Sequence, residues 1–216
     1  MEKWIVKGGK SLPFMQKYQL HPLMARILAA RIELEKVPLY MDREAPLFSP
    51  WLMSDMKQAV SIVRQHLEKG SQIRIVGDYD VDGLTSSSIL YLGLQELIRQ
   101  VSGTDKAKLS CRIPERIGEG YGFSVSIAEE VLQDGVDLVI TCDNGIREMA
   151  SASFLKQHGI DMVVTDHHEI LLDDEGKEEL PEAGAVINPH RQGDQSPQSL
   201  ICGAFVALQL IRALYE

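Results

Sequence analysis

"RIVGDYDVDGLTSSSI", residues 74–89, decides how this 216-residue chain is read. Its centre places Asp78, Asp80 and Asp82 at alternate positions ahead of Gly83. A calcium-binding EF-hand loop begins this way, but it also needs a bidentate Glu at its twelfth position and a helix leading into it. The twelfth position here is Ile89, and the residues leading in, Ile73, Ile75 and Val76, form a β-branched run. The stretch that follows, "LTSSSILYLGLQELIRQ", has helical periodicity. The local order is strand, acidic turn, helix.

Working outward, the same alternation repeats. Apolar β-branched runs predict strands at Ile73–Val76, Leu109–Ile113, Leu138–Thr141, Met162–Thr165 and Ala185–Ile187. Between and after them, helical patterns cover Ser86–Arg99, Ser124–Gln133, Arg147–His158 and Gly203–Leu214. Repeated βα units imply right-handed crossovers, so the expected fold is α/β, a mainly parallel five-stranded sheet with helices on both faces. Residues 1–70 carry no strand signal. "LHPLMARILAARI" and "SDMKQAVSIVRQHLEKG" read as amphipathic helices, the second with Ser54 as N-cap and Gly70 as its stop. The expected division is a helical lead-in over 1–70, packed on an α/β domain over 71–216.

Composition excludes several classes. At 44% hydrophobic and 25% charged residues the chain buries a full core, and its apolar runs are too short to span a bilayer. A soluble, cytoplasmic protein is expected. Cys111, Cys142 and Cys202 are odd in number and lack a C-x-x-C spacing, which argues against a disulfide framework or structural zinc and for small buried hydrophobes. The net charge of -9 argues against a nucleic-acid binder. The deficit is local, however: residues 1–120 sum to +3 and residues 121–216 to -12, with an acidic loop in "HEILLDDEGKEELPE".

Function in open α/β sheets gathers at the carboxyl ends of the strands. After the first predicted strand comes Asp78-x-Asp80-x-Asp82; after the third, Cys142-Asp143-Asn144-Gly145; after the fourth, Asp166-His167-His168; after the fifth, Asn188-Pro189-His190-Arg191. Parallel strands would bring these turns to one rim, where ionised carboxylates repel one another unless cations sit among them. Carboxylate with imidazole suits Mn²⁺, Fe²⁺, Zn²⁺ or Mg²⁺, the oxygen-rich mix favouring Mn²⁺ or Mg²⁺. A carboxylate such as Asp143 shared by two ions is an arrangement that serves phosphoester hydrolysis.

"GDYDVDG", "CDNG" and "TDHH", in this order and with these separations, resemble the motifs of the DHH phosphoesterase superfamily, and "RIPERIGEGYGFS", "VVTDHHE" and "AVINPHR" resemble its single-strand-specific exonuclease branch. The resemblance covers residues 50–215. It implies metal ligation by Asp80, Asp82, Asp143 and His167, with Asp78 as a further ligand or supporting group. It places His168 near the metals or the scissile phosphate, with Asp166 orienting an imidazole. Asn188, His190 and Arg191 fall where the family's N-P-x-R-like segment approaches the site, and guanidinium chemistry gives Arg191 a phosphate contact. Arg116 and Tyr121 offer a cation and a stacking face for single-stranded nucleic acid, although a plain surface charge is the simpler reading of Arg116.

The implied activity is a phosphodiesterase degrading single-stranded DNA from its 5′ end with two Mn²⁺, Mg²⁺ being a possible substitute, alongside single-strand-binding or other repair proteins. Two alternatives stay open: a family member acting on oligoribonucleotides, cyclic dinucleotides or pyrophosphate, and a catalytically silent scaffold. The family continues into a stretch supplying another metal-binding Asp. This sequence stops at "LQLIRALYE" without it, so an N-terminal fragment is expected.

Overall fold

A computed structural model describes residues 9–42, 47–100, 106–115, 122–197 and 200–216. The chain divides into two compact units, Met1–Leu47 and Phe48–Glu216. In the first, helices α1 (Ser11–Tyr18), α2 (Pro22–Ala29) and α3 (Val37–Met41) surround a small core of Phe14, Ala25, Leu28 and Val37.

The second unit is the α/β domain. Five strands, β1 (Gln72–Val76), β2 (Lys108–Arg112), β3 (Leu138–Cys142), β4 (Asp161–Thr165) and β5 (Ala185–Ile187), form one sheet in the order β2-β1-β3-β4-β5. Every neighbouring pair is parallel. Side chains alternate across a strand, and β3 shows the result. Leu138, Ile140 and Cys142 join one core with α4 (Met56–Lys69), α5 (Val81–Gln100) and α8 (Gly203–Tyr215). Val139 joins the other, with α6 (Val125–Gln133) and α7 (Met149–Gln157). The helices therefore cover both faces, as expected.

Three expectations need correction. The lead-in does not extend to residue 70: Met56, Ala59, Val63 and Leu67 of α4 are buried in the sheet's own core, so the division falls after Leu47. Ser54 does not cap α4. The helix starts at Met56 behind Asp55, which holds φ +56 and turns its carboxylate onto the Val186 amide. Of the cysteines only Cys142 is buried, where the apolar surroundings push its thiol up to about 12, while Cys111 and Cys202 are exposed.

The order of strands fixes where a site can form. The chain leaves β1 for β2 on one side, then returns to place β3 on the other. Loops after β1 and β3 thus diverge to opposite faces and leave a crevice between them. Register levels the strand ends, since Val76 pairs with Thr141 and Cys142 with Thr165. The ladder continues past the strands through Asp143 N–H to Thr165 O and Asp166 N–H to Ile187 O. Asp143, Asp166 and Asn188 consequently stand in a row along one rim.

Candidate metal centre

The acidic motif after β1 is a helix start. Asp80 accepts the Gly83 amide on Oδ1 at 3.0 Å, and its carbonyl accepts the Leu84 amide. Such a cap satisfies donors that a first turn leaves open. The expected helix began at Ser86; α5 begins at Val81 because Asp80 caps it there. Gly83 is therefore a helical residue. A Cβ at this position would lie 2.5 Å from the Asp78 carbonyl oxygen, so only glycine lets α5 pack this closely on the end of β1.

Asp78 is buried, and its Oδ1 has no hydrogen-bond partner among the described residues. Burial raises its carboxyl above the usual range, against the lowering effect of the Tyr79 amide. Asp143, held at φ +60, presents a side chain that is 3% exposed. Burial raises its carboxyl too, although His167 bonds to it with Nε2 at 3.0 Å from Oδ1. That bond in turn raises the His167 imidazole. Two donor groups result, each with ligand atoms within 4.8 Å of one another: Asp78, Asp80 and Asp143, and Asp143, His167 and His168. Asp143 belongs to both.

Behind them Asp166, 1% exposed, accepts four donors. Oδ2 takes the Ile146 amide at 2.9 Å, and Oδ1 takes the amides of His167 and His168 together with His168 Nδ1 at 2.7 Å. Burial alone would raise this carboxyl, but the bonds from His168 and the Ile146 amide outweigh it and hold it below its ordinary value. The same bond raises the His168 imidazole. Asp166 thus orients one of the two adjacent histidines while Asp143 engages the other.

The sequence pattern described as DHH family, N-terminal domain, matches residues 72–216. The chain belongs to the DHH family. The single-stranded-DNA-specific exonuclease RecJ of Bacillus subtilis (strain 168) is 34% identical over 201 residues, 91% of this chain and 24% of that protein. The RecJ exonuclease of Haemophilus influenzae is 33% identical over 207 residues, 95% of this chain and 33% of its own. A crystal structure of exonuclease RecJ bound to manganese superposes with a TM-score of 0.65 at 32% identity, over 79% of this chain and 39% of that one. The chain spans 24% and 33% of the two curated relatives' lengths.

Other residues expected at the site adjoin these two groups or brace the loops around them. Asp82 lies outside both donor groups: its Oδ2 and Oδ1 accept the amides of Gly203 and Ala204 at 2.7 and 2.8 Å, with His167 Nε2 3.5 Å from Oδ2. Arg191 was expected on a phosphate, but its Nε bonds Glu178 at 3.0 Å and its Nη1 bonds Asp55 at 2.9 Å and the Val186 carbonyl. These bonds tie down the loop after β5. Asn188 is fully buried, donating to the His168 carbonyl and accepting the His190 amide, so it braces the DHH loop from within. Arg116 and Tyr121 lie outside the described residues.

Asn144, in "CDNG", has a role that its local sequence does not announce. Its amide donates to the carbonyls of Val76 and Cys142, clasping β1 to β3 at the crevice. Beside it a cavity of about 300 Å³ opens, lined by Gly145, Ile146, Arg147, Glu148 and His168 among others. Burial raises the Glu148 carboxyl there, with Asp166 adding to the effect.

The donor set fits divalent cations. Oxygen predominates, imidazole completes it, and a buried carboxylate oxygen with no hydrogen-bond partner needs a cation or a proton. No helix among the described residues is long and apolar enough to cross a membrane.

Proposed function

We propose that this chain is the metal-binding part of a phosphodiesterase that removes nucleotides from the 5′ end of single-stranded DNA, with two Mn²⁺ ions as cofactors and Mg²⁺ as a substitute. The observation that carries the reading is the pair of overlapping donor groups with Asp143 common to both. A carboxylate common to both groups would let two cations sit side by side, the arrangement that serves phosphoester hydrolysis. Asp78 and Asp80 would hold one ion, and His167 with His168 nearby the other.

Bound cations would acidify a water towards neutrality and screen the phosphate charge. The protein's own residues supply the frame. Asp166 fixes the His168 ring through Nδ1, and their bond raises the imidazole, which favours a protonated ring toward an anionic phosphodiester. Burial keeps Asp78 and Asp143 short of water, which strengthens their pull on a cation. The cavity beside His168 offers room for a nucleotide unit next to the centre. The B. subtilis relative's name supplies the substrate, single-stranded DNA, and the manganese-bound RecJ structure the metal. A cytoplasmic setting with single-strand-binding or other repair proteins as partners completes the proposal.

The test is Mn²⁺ binding, followed by paramagnetic resonance, and cleavage of 5′-labelled single-stranded DNA, with cyclic dinucleotide and pyrophosphate as competing substrates. Nucleotides released from the labelled end are expected, with cleavage lost in Asp143→Asn and His167→Ala and Mn²⁺ binding weakened in both. Cleavage that persists in both variants would sink the two-metal assignment. Hydrolysis of only the small substrates would replace DNA with them.

A further inference from the structure

Gly203, the first residue of α8, meets two candidate ligand carboxylates at once. Its amide donates to Asp82 Oδ2, and the next amide, from Ala204, donates to Asp82 Oδ1. On its other side it touches Asp143. A Cβ on Gly203 would lie 2.6 Å from Asp143 Oδ1 and 2.8 Å from Asp143 Cβ, closer than real Cβ atoms approach.

Neither side has slack. Asp143 is buried in the left-handed region with its amide bonded to the Thr165 carbonyl. Helix α8 is locked by Val206, Ala207 and Leu210, all fully buried in the core it shares with α5 and the sheet. The positive end of α8 also receives the Asp82 charge, which lowers the repulsion from its neighbours.

We infer that Gly203 is a positioning residue of the metal centre: the amide end of α8 sets the spacing between Asp82 and Asp143, and so whether Asp143 stands where both donor groups can share it. The inference rests on the metal-centre reading. A side chain at 203 moves Asp143, and moving a shared ligand weakens both ion positions together.

The experiment titrates Mn²⁺ into the chain as it stands, into Gly203→Ala, and into Gly93→Ala. The last is a second tight helical glycine whose added Cβ would meet the Ile211 side chain, away from the acidic residues. Gly203→Ala is expected to weaken Mn²⁺ binding about 10–100-fold, the usual effect of disturbing a ligand's support, and to change the resonance spectrum of the bound ion. Gly93→Ala is expected to change neither, while the two variants unfold at similar temperatures in chelator. Wild-type affinity and spectrum in Gly203→Ala would overturn the inference alone. A wild-type chain that binds no Mn²⁺ would overturn the metal-centre reading and this one with it. Should Gly203→Ala not fold, hydrogen exchange at the Gly203 and Ala204 amides of the wild type decides: slowing on Mn²⁺ addition supports the inference, and unchanged exchange overturns it.

Discussion

His168 Nδ1 bonds Asp166 Oδ1 at 2.7 Å, so a half-exposed imidazole is anchored on a carboxylate that is almost wholly buried. The two titrations oppose each other. Asp166, held below its ordinary value, contributes stability that is present above the unfolded carboxylate range and lost as pH falls through its folded value. His168, raised, contributes stability that is complete below the unfolded imidazole range and lost as pH rises through its folded value. In chelator, the melting-temperature difference between wild type and Asp166→Asn should peak at roughly pH 5–6, between the two ranges. Thermal melts from pH 4 to 9 check this, and a pH-independent difference would refute it.

His167 must give up its proton to ligate a cation, and its bond to Asp143 holds that proton above the ordinary imidazole pKa. Mn²⁺ affinity should therefore climb as pH rises through the imidazole range and beyond it. His167→Ala should bind more weakly and lose most of that slope. Titration calorimetry at several pH values measures both.

Asp143→Asn should separate binding from stability. Its carboxyl is raised by burial, so the ionised form is disfavoured in the fold and weakens it at neutral pH. The substitution should abolish shared-ion binding yet leave the metal-free protein as stable as wild type or more so. Denaturant unfolding in chelator is the measurement, and a clear loss of stability would contradict the argument.

Arg191→Ala should act on the fold. Removing bonds to Glu178, Asp55 and the Val186 carbonyl leaves charged groups without their partner, at a cost of about 1–3 kcal/mol. Asp55→Ala should overlap with it in a double-mutant cycle, because both remove the same bond. Mn²⁺ affinity should stay within about twofold, the arginine being bonded outside both donor groups. Unchanged stability with weakened DNA binding would instead favour a phosphate-contact role.

What the sequence made legible was whatever repeats locally. Strand periodicity located all five strands to within a residue or two, and the polar clusters at their carboxyl ends located the rim, because parallel strands leave no other end for them. The partners across the fold were hidden. Nothing near Asp82 announces the amides of Gly203 and Ala204, and nothing near Arg191 announces Asp55, 136 positions away. Side-chain chemistry is not legible where two uses compete: a guanidinium after a strand suits phosphate as well as a carboxylate pair. The start of α5 is hidden because Asp80 serves both as a candidate ligand and as the cap that begins the helix.

The contact between Asp82 and Gly203 joins positions 121 residues apart. A chain emerging from the ribosome has made every carboxylate of the rim long before it makes the helix that receives one of them. Until α8 docks, those charges face one another without the amides that relieve them, and contacts this distant in sequence are slow to form. The rim would then be among the last parts of the domain to take its shape, and any cation held there would be held only once the final helix is in place.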